Sequence, residues 1–152
     1  MCRDNLPAGL TIKIPAAPDI YVVAQIVFSG VSFYAIGFEG LVGNSDEFGC
    51  IVKSPPIIGA WTNDAEIFKS RWIKSSLQDV YYEDFWDLKY KYMIGNELFT
   101  QSFDGKSRFI GGPDDSCLPF KLSVSPIIFG RALCALNGFG EWKSYYDKLR
   151  LL

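Results

Sequence analysis

The segment Asp79-Val80-Tyr81-Tyr82-Glu83-Asp84-Phe85-Trp86-Asp87 sets four carboxylates and four aromatic rings in nine residues, with no basic residue among them. Paired carboxylates hydrolyse glycosides when ~5–9.5 Å separates them, one serving as acid and the other as base or nucleophile. Asp79, Glu83, Asp84 and Asp87 are candidates for such a pair, as are Asp114 and Asp115. That chemistry needs one carboxyl held in an apolar pocket, and no pattern here supplies one. Asp114-Asp115 also lacks the longer run of oxygen ligands that a calcium loop requires. The segment is better suited to recognition. Tyr and Trp give rigid contact area at modest entropic cost, and carboxylates speed encounter with a cationic face. Asp79, Tyr81, Tyr82, Glu83, Asp84, Trp86 and Asp87 are therefore the candidate partner-binding residues. In the competing reading, Tyr82, Phe85 and Trp86 pack inward along a short amphipathic element and the acids are merely solvated.

Histidine is absent. Its absence removes the Ser-His-Asp triad, the Cys-His dyad, imidazole acid–base chemistry and every metal site that uses imidazole. Ser70-Arg71 and Ser102-Phe103 are not nucleophile elbows, and no Ser-x-x-Lys stands out. The cysteines, Cys2, Cys50, Cys117 and Cys134, form no C-x-x-C pair, which argues against a zinc ribbon or a redox dithiol. They read as four reduced thiols, with Cys134 in a helical core. No cofactor, metal site or catalytic residue is expected, so the chain reads as a binding protein rather than an enzyme. Fifteen Lys and Arg against 17 Asp and Glu leave a net charge of −2, which lacks the basic footprint of a nucleic-acid binder. Glu66, Lys69, Arg71 and Lys74 around Trp72, with Phe99, Phe103 and Phe109, allow a stacking platform for single strands. Alternation of buried rings and solvated charges explains the same residues more simply. No run reaches the ~18 apolar residues of a membrane span, and the start of the chain lacks a signal-like apolar stretch. A soluble, cytoplasmic protein without membrane contact is expected.

The elements that would hold such a surface follow from periodicity and punctuation. Leu10-Thr11-Ile12-Lys13-Ile14 alternates with period two, the mark of a half-buried strand, and Pro15 and Pro18 are expected to end it. Tyr21–Phe28 and Val31–Phe38 form a hairpin across a two-residue Ser29-Gly30 loop. Glu39–Gly49 carries loop chemistry and is a second candidate for partner contact. Cys50-Ile51-Val52 and Ile57–Trp61 read as short strands, with a further strand around Trp72. Leu98–Phe103 and Ser107–Ile110 form a hairpin about Asp104-Gly105. Ser125-Pro126 starts a helix, with Ile127, Ile128, Phe129, Ala132, Leu133 and Leu136 at helical spacing and Asn137-Gly138 as its stop. Trp142, Tyr145, Tyr146 and Leu149 predict a second helix over Glu141–Leu151. Strands first and helices last predict an α+β fold in a single domain spanning 1–152. Its β-rich part, 10–112, is expected as a curled, barrel-like antiparallel sheet, and 125–151 as two C-terminal helices.

The order Ile12-Lys13-Ile14-Pro15, the aromatic hairpin, Ser54-Pro55-Pro56-Ile57-Ile58, Ser70-Arg71-Trp72 and Tyr92-Met93-Ile94-Gly95-Asn96 resembles the immunity-protein-26 family of bacterial polymorphic toxin systems. The resemblance spans about residues 10–112. It implies a small cytoplasmic protein that binds and neutralises a cognate secreted toxin without catalysis. Its pattern residues read as structural, so no binding residue carries over. Ser70 stands where the family has Gly, and Trp72 and Gly95 lie farther apart than in the family, with the acidic-aromatic segment between them. Insertions on rigid scaffolds tend to carry recognition. The alternative is a small carbohydrate- or peptide-binding module with an aromatic cleft.

Overall fold

Val- and Ile-rich runs punctuated by turn residues build the first half of the molecule into a meander. The computed structural model describes residues 6–28, 32–44, 49–81, 89–102, 107–109 and 123–151. Strands β1 (Leu10–Ala17), β2 (Ile20–Phe28), β3 (Phe33–Val42), β4 (Ile58–Thr62) and β5 (Ile73–Leu77) form an antiparallel sheet in the order β4-β3-β2-β1-β5. Short helices α1 (Gly49–Lys53) and α2 (Ala65–Phe68) occupy the β3–β4 and β4–β5 connections. The chain separates into two compact units, Met1–Tyr82 with Ser123–Leu152, and Glu83–Leu122. In the second unit, β6 (Lys89–Ile94), β7 (Glu97–Ser102) and β8 (Ser107–Phe109) form an antiparallel sheet in that order. Gly95 opens the two-residue β6–β7 turn at φ 61°, a conformation that costs glycine little.

Ser125 caps helix α3 (Pro126–Leu136), its side chain accepting from the Ile128 amide at 3.3 Å. The helix lies on one face of the five-stranded sheet. Ile12, Ala24, Gly37 and Ile58 stand opposite one another across four strands, as do Ile26, Ala35 and Ala60 across three. The small residues in those rows let the helix approach closely. A β-carbon on Gly37 would lie 2.7 Å from the Leu133 side chain. Phe129, Ala132 and Leu133 are fully buried in this contact. At its C-terminus, Asn137 accepts from the Gly40 amide at 2.8 Å and donates to the carbonyls of Phe38 and Leu133 at 3.2 and 3.0 Å. One side chain thus ties the end of the helix to β3, where Gly40 has φ 145°.

The fold is α+β with an antiparallel sheet and a C-terminal helix, and it departs from expectation in several places. The five-stranded sheet is open rather than barrel-like. Its edges, β4 and β5, do not meet, and late segments reach β4 instead: Arg150 pairs with Ile58 and Ser123 with Trp61. The expected second helix is a single 3-10 segment, Ser144–Leu149. Tyr146 and Leu149, three residues apart, bury one face of it, and the chain then extends so that the Leu151 amide donates to the Ile57 carbonyl. Cys50-Ile51-Val52 is helical, not extended; the Ser54 amide bonds back to Ile51 and Pro55-Pro56 stop the turn. Pro15 lies inside β1, beyond the last β1–β5 partner at Lys13, where a missing N–H costs no bond to β5. The β1 strand is buried on both faces rather than half-buried, with Thr11 donating to the Ser76 carbonyl at 2.6 Å. The last β2–β3 partners are Phe28 and Tyr34, so the connection is longer than the two-residue loop expected. Residues 39–42, assigned to a loop, complete β3. Trp72 precedes the strand expected around it, because α2 takes up the chain before it and β5 begins at Ile73. The Asp104-Gly105 turn lies outside the described residues. No helix among the described residues is long and apolar enough to cross a membrane.

Candidate functional site

Two surfaces of the first unit concentrate functional groups. The first is the exit of β5. Gln25, fully buried in β2, donates through its side-chain amide to the carbonyls of Gly9, Gln78 and Asp79 at 3.3, 3.0 and 3.2 Å. The Gln78 amide donates to the Gly9 carbonyl, and Gly9, at φ 91°, leaves no room for a β-carbon beside the Gln78 carbonyl oxygen. The backbone is thus clamped where the chain leaves the sheet. Asp79, whose carbonyl ends the clamp, and Tyr81, two residues on, are both exposed. Lys53 of α1 stands 5.4 Å above the Tyr81 ring, so a cation absent from the acidic-aromatic segment is supplied by another element. Tyr82, Glu83, Asp84, Trp86 and Asp87 lie outside the described residues, as do Asp114 and Asp115.

The second surface is a cleft of about 570 Å³ along α3. Trp72 and Ile14 form its floor, Arg131 and Cys134 of α3 one wall, and Tyr145 of the 3-10 segment another. Trp72 is buried against Phe129, with ring centroids 6.1 Å apart. Gly130 lets the helix lie on it, since a β-carbon there would stand 3.3 Å from the indole. The Trp72 indole N–H has no hydrogen-bond partner among the described residues. The 3-10 wall is fixed by Trp142, which donates to Asp147 at 2.8 Å, stacks edge-on against Tyr146 and carries the Arg150 guanidinium 4.5 Å above its ring.

The residues that could have made a basic strip around Trp72 divide between the cleft and the surface. Glu66 is buried and points into the cleft, paired with Arg71 at 3.4 Å, while Lys69 and Lys74 are exposed. Phe99 and Phe109 are register partners across β7 and β8, in the second unit, and Phe103 lies outside the described residues. Cys50 and Cys134 are free thiols. Cys134 lines the cleft rather than a closed core, and partial burial pushes its thiol pKa up. The sequence reading missed the cleft. Its one local signal was Arg131, a lone charge in the run Ile127-Ile128-Phe129-Gly130-Arg131-Ala132-Leu133. Neither the family models nor the curated proteins nor the solved structures compared with the chain match it, so the family resemblance stands on its quoted motifs alone.

Proposed function

We propose that this chain is a non-catalytic binding protein that neutralises a cognate protein toxin by contact, with the segment from Asp79 to Asp87 in the interface. The observation that carries the reading is the exposure of Asp79 and Tyr81 at the end of a backbone clamp built on buried Gln25. A rigid base under an exposed acid and an exposed aromatic ring suits specific docking onto a cationic partner. The motif order shared with the immunity-protein-26 family supports the same reading. A standard interface buries ~1,600 Å² in total, so neighbouring surface must contribute, and α1 with Lys53 is the nearest candidate. The test is capture of a partner from the native host, followed by titration with Tyr81→Ala and Asp79→Lys. Both positions are exposed, so both variants fold. The expected result is a secreted toxin whose affinity falls about tenfold or more with either variant. Capture of no toxin, or unchanged affinity in both variants, overturns the proposal.

The cleft favours a second reading, a small ligand-binding module, because an exposed tyrosine, two arginines and a buried tryptophan converge there. Heat stabilisation by a small ligand without any protein partner distinguishes it from the first.

A further inference from the structure

We infer that the cleft over Trp72 is a binding site for a small organic anion, a carboxylate or phosphate borne on a flat apolar body. The inference rests on the cleft being a ligand site and is independent of the neutralisation reading.

Cations outnumber anions on the lining. Arg71, Arg131 and Lys143 face Glu66 and Glu141, in a chain whose net charge is −2. Two of these cations already have partners: Arg71 meets Glu66 at 3.4 Å and Lys143 meets Glu141 at 3.6 Å. Arg131 has no hydrogen bond or ion pair among the described residues and is exposed on the cleft wall. The floor adds a second donor. The indole N–H of Trp72, beneath Gly130, lines this floor and has no acceptor among the described residues. An indole N–H without an acceptor and a cation without a counterion among the described residues, lining one cleft, are complementary to anionic oxygens.

The walls define the rest of the ligand. Tyr145 is 53% exposed and stands edge-on to Tyr146, which leaves a ring for a flat group to lie against. Phe139 and Ile127 extend the apolar lining. The volume, about 570 Å³, lies in the range of roughly 300–1,000 Å³ that small-molecule sites occupy.

The test is calorimetric titration of the full chain with phenylacetate and phenyl phosphate, which separate the two anion chemistries. Phenylacetamide and methyl glucoside serve as neutral probes. The expected result is saturable binding of at least one anionic probe, with phenylacetamide bound about tenfold or more weakly. Arg131→Gln, exposed and structurally neutral, is expected to weaken the bound anion by about tenfold or more. Alkylation of Cys134 is expected to slow when the anion is bound, while that of exposed Cys50 is unchanged. Failure of both anions to bind at about 10 mM, equal binding of phenylacetamide, or unchanged affinity in Arg131→Gln overturns the inference. Binding of methyl glucoside without either anion overturns it too, but leaves the cleft as a carbohydrate site; silence from all four probes removes both.

Discussion

Gln25 is the polar side chain that holds the exit of β5. It is wholly buried, three carbonyls accept from its amide nitrogen, and its amide oxygen has no partner among the described residues. Replacing it with leucine removes that unpartnered oxygen, a small gain, but strands the carbonyls of Gln78 and Asp79 near apolar atoms. We expect Gln25→Leu to lower unfolding free energy by about 1–3 kcal/mol. Gln25→Glu is expected to cost more, because a buried carboxylate would face carbonyl oxygens with nothing to donate. Urea titration of both variants checks the order, and equal stability of the two would refute the clamp. Gly37 poses the opposite problem. A β-carbon there meets Leu133 at 2.7 Å and Ile58 at 3.0 Å, inside a core with no slack. Gly37→Ala is therefore expected to cost about 1–3 kcal/mol through overpacking, despite the backbone entropy it removes from the unfolded chain.

Helix α3 depends on its two ends to different degrees. Ser125 supplies one hydrogen bond to an exposed first turn, so Ser125→Ala is expected to cost about 1 kcal/mol. Asn137 satisfies the Gly40 amide and the Phe38 carbonyl in the sheet while it also closes the helix. Asn137→Ala leaves both sheet groups without partners, and we expect a loss of about 2 kcal/mol or more. Thermal melts of the two variants test this ranking. The start of the helix was legible in sequence because its signals are local: a cap, a proline at the first position and apolar spacing. The β2–β3 pairing and the β7–β8 hairpin were legible for the same reason. Strand β5 was not, since Lys74, Ser75 and Ser76 carry the polarity of an edge strand with one neighbour. Cys50-Ile51-Val52 has strand-forming residues, yet the connection from β3 to β4 turns it into a helix. The i, i+3, i+4, i+7 spacing from Trp142 to Leu149 overstated the last element, since the chain must straighten at Arg150 to pair with β4. Asp79 and Tyr81 are exposed, and the rest of their segment lies outside the described residues. The cleft could not be read from sequence at all, because Ile14, Trp72, Arg131 and Tyr145 come together only when four distant segments pack.

At the scale of the whole molecule, the absence of histidine shapes the response to pH. Histidine is the one side chain whose ordinary charge change falls between about pH 5 and 8. Stability should therefore be nearly level from about pH 6 to 8. Alkaline pH is different. Burial raises the Cys134 thiol above its ordinary value of 9.0, and burial, with help from Tyr145, raises the Tyr146 phenol above 10.0. Each group holds its proton more tightly in the folded chain than in the unfolded one. Above the ordinary values the unfolded state has therefore lost protons that the folded state keeps. The folded state binds more protons there, so stability falls as pH rises through the folded values and is fully retained below the ordinary ones. The expected outcome is a urea midpoint that stays constant near neutrality and declines above about pH 9. Cys134→Ala, which removes one of the two groups, should decline less steeply over the same range. Both groups line the cleft, so an anion held by Arg131 would sit beside them and raise the cost of ionising either one. Alkaline titration with and without phenylacetate, in wild type and Arg131→Gln, then links the pH response to the ligand site. A midpoint that phenylacetate shifts equally in both proteins would separate the two.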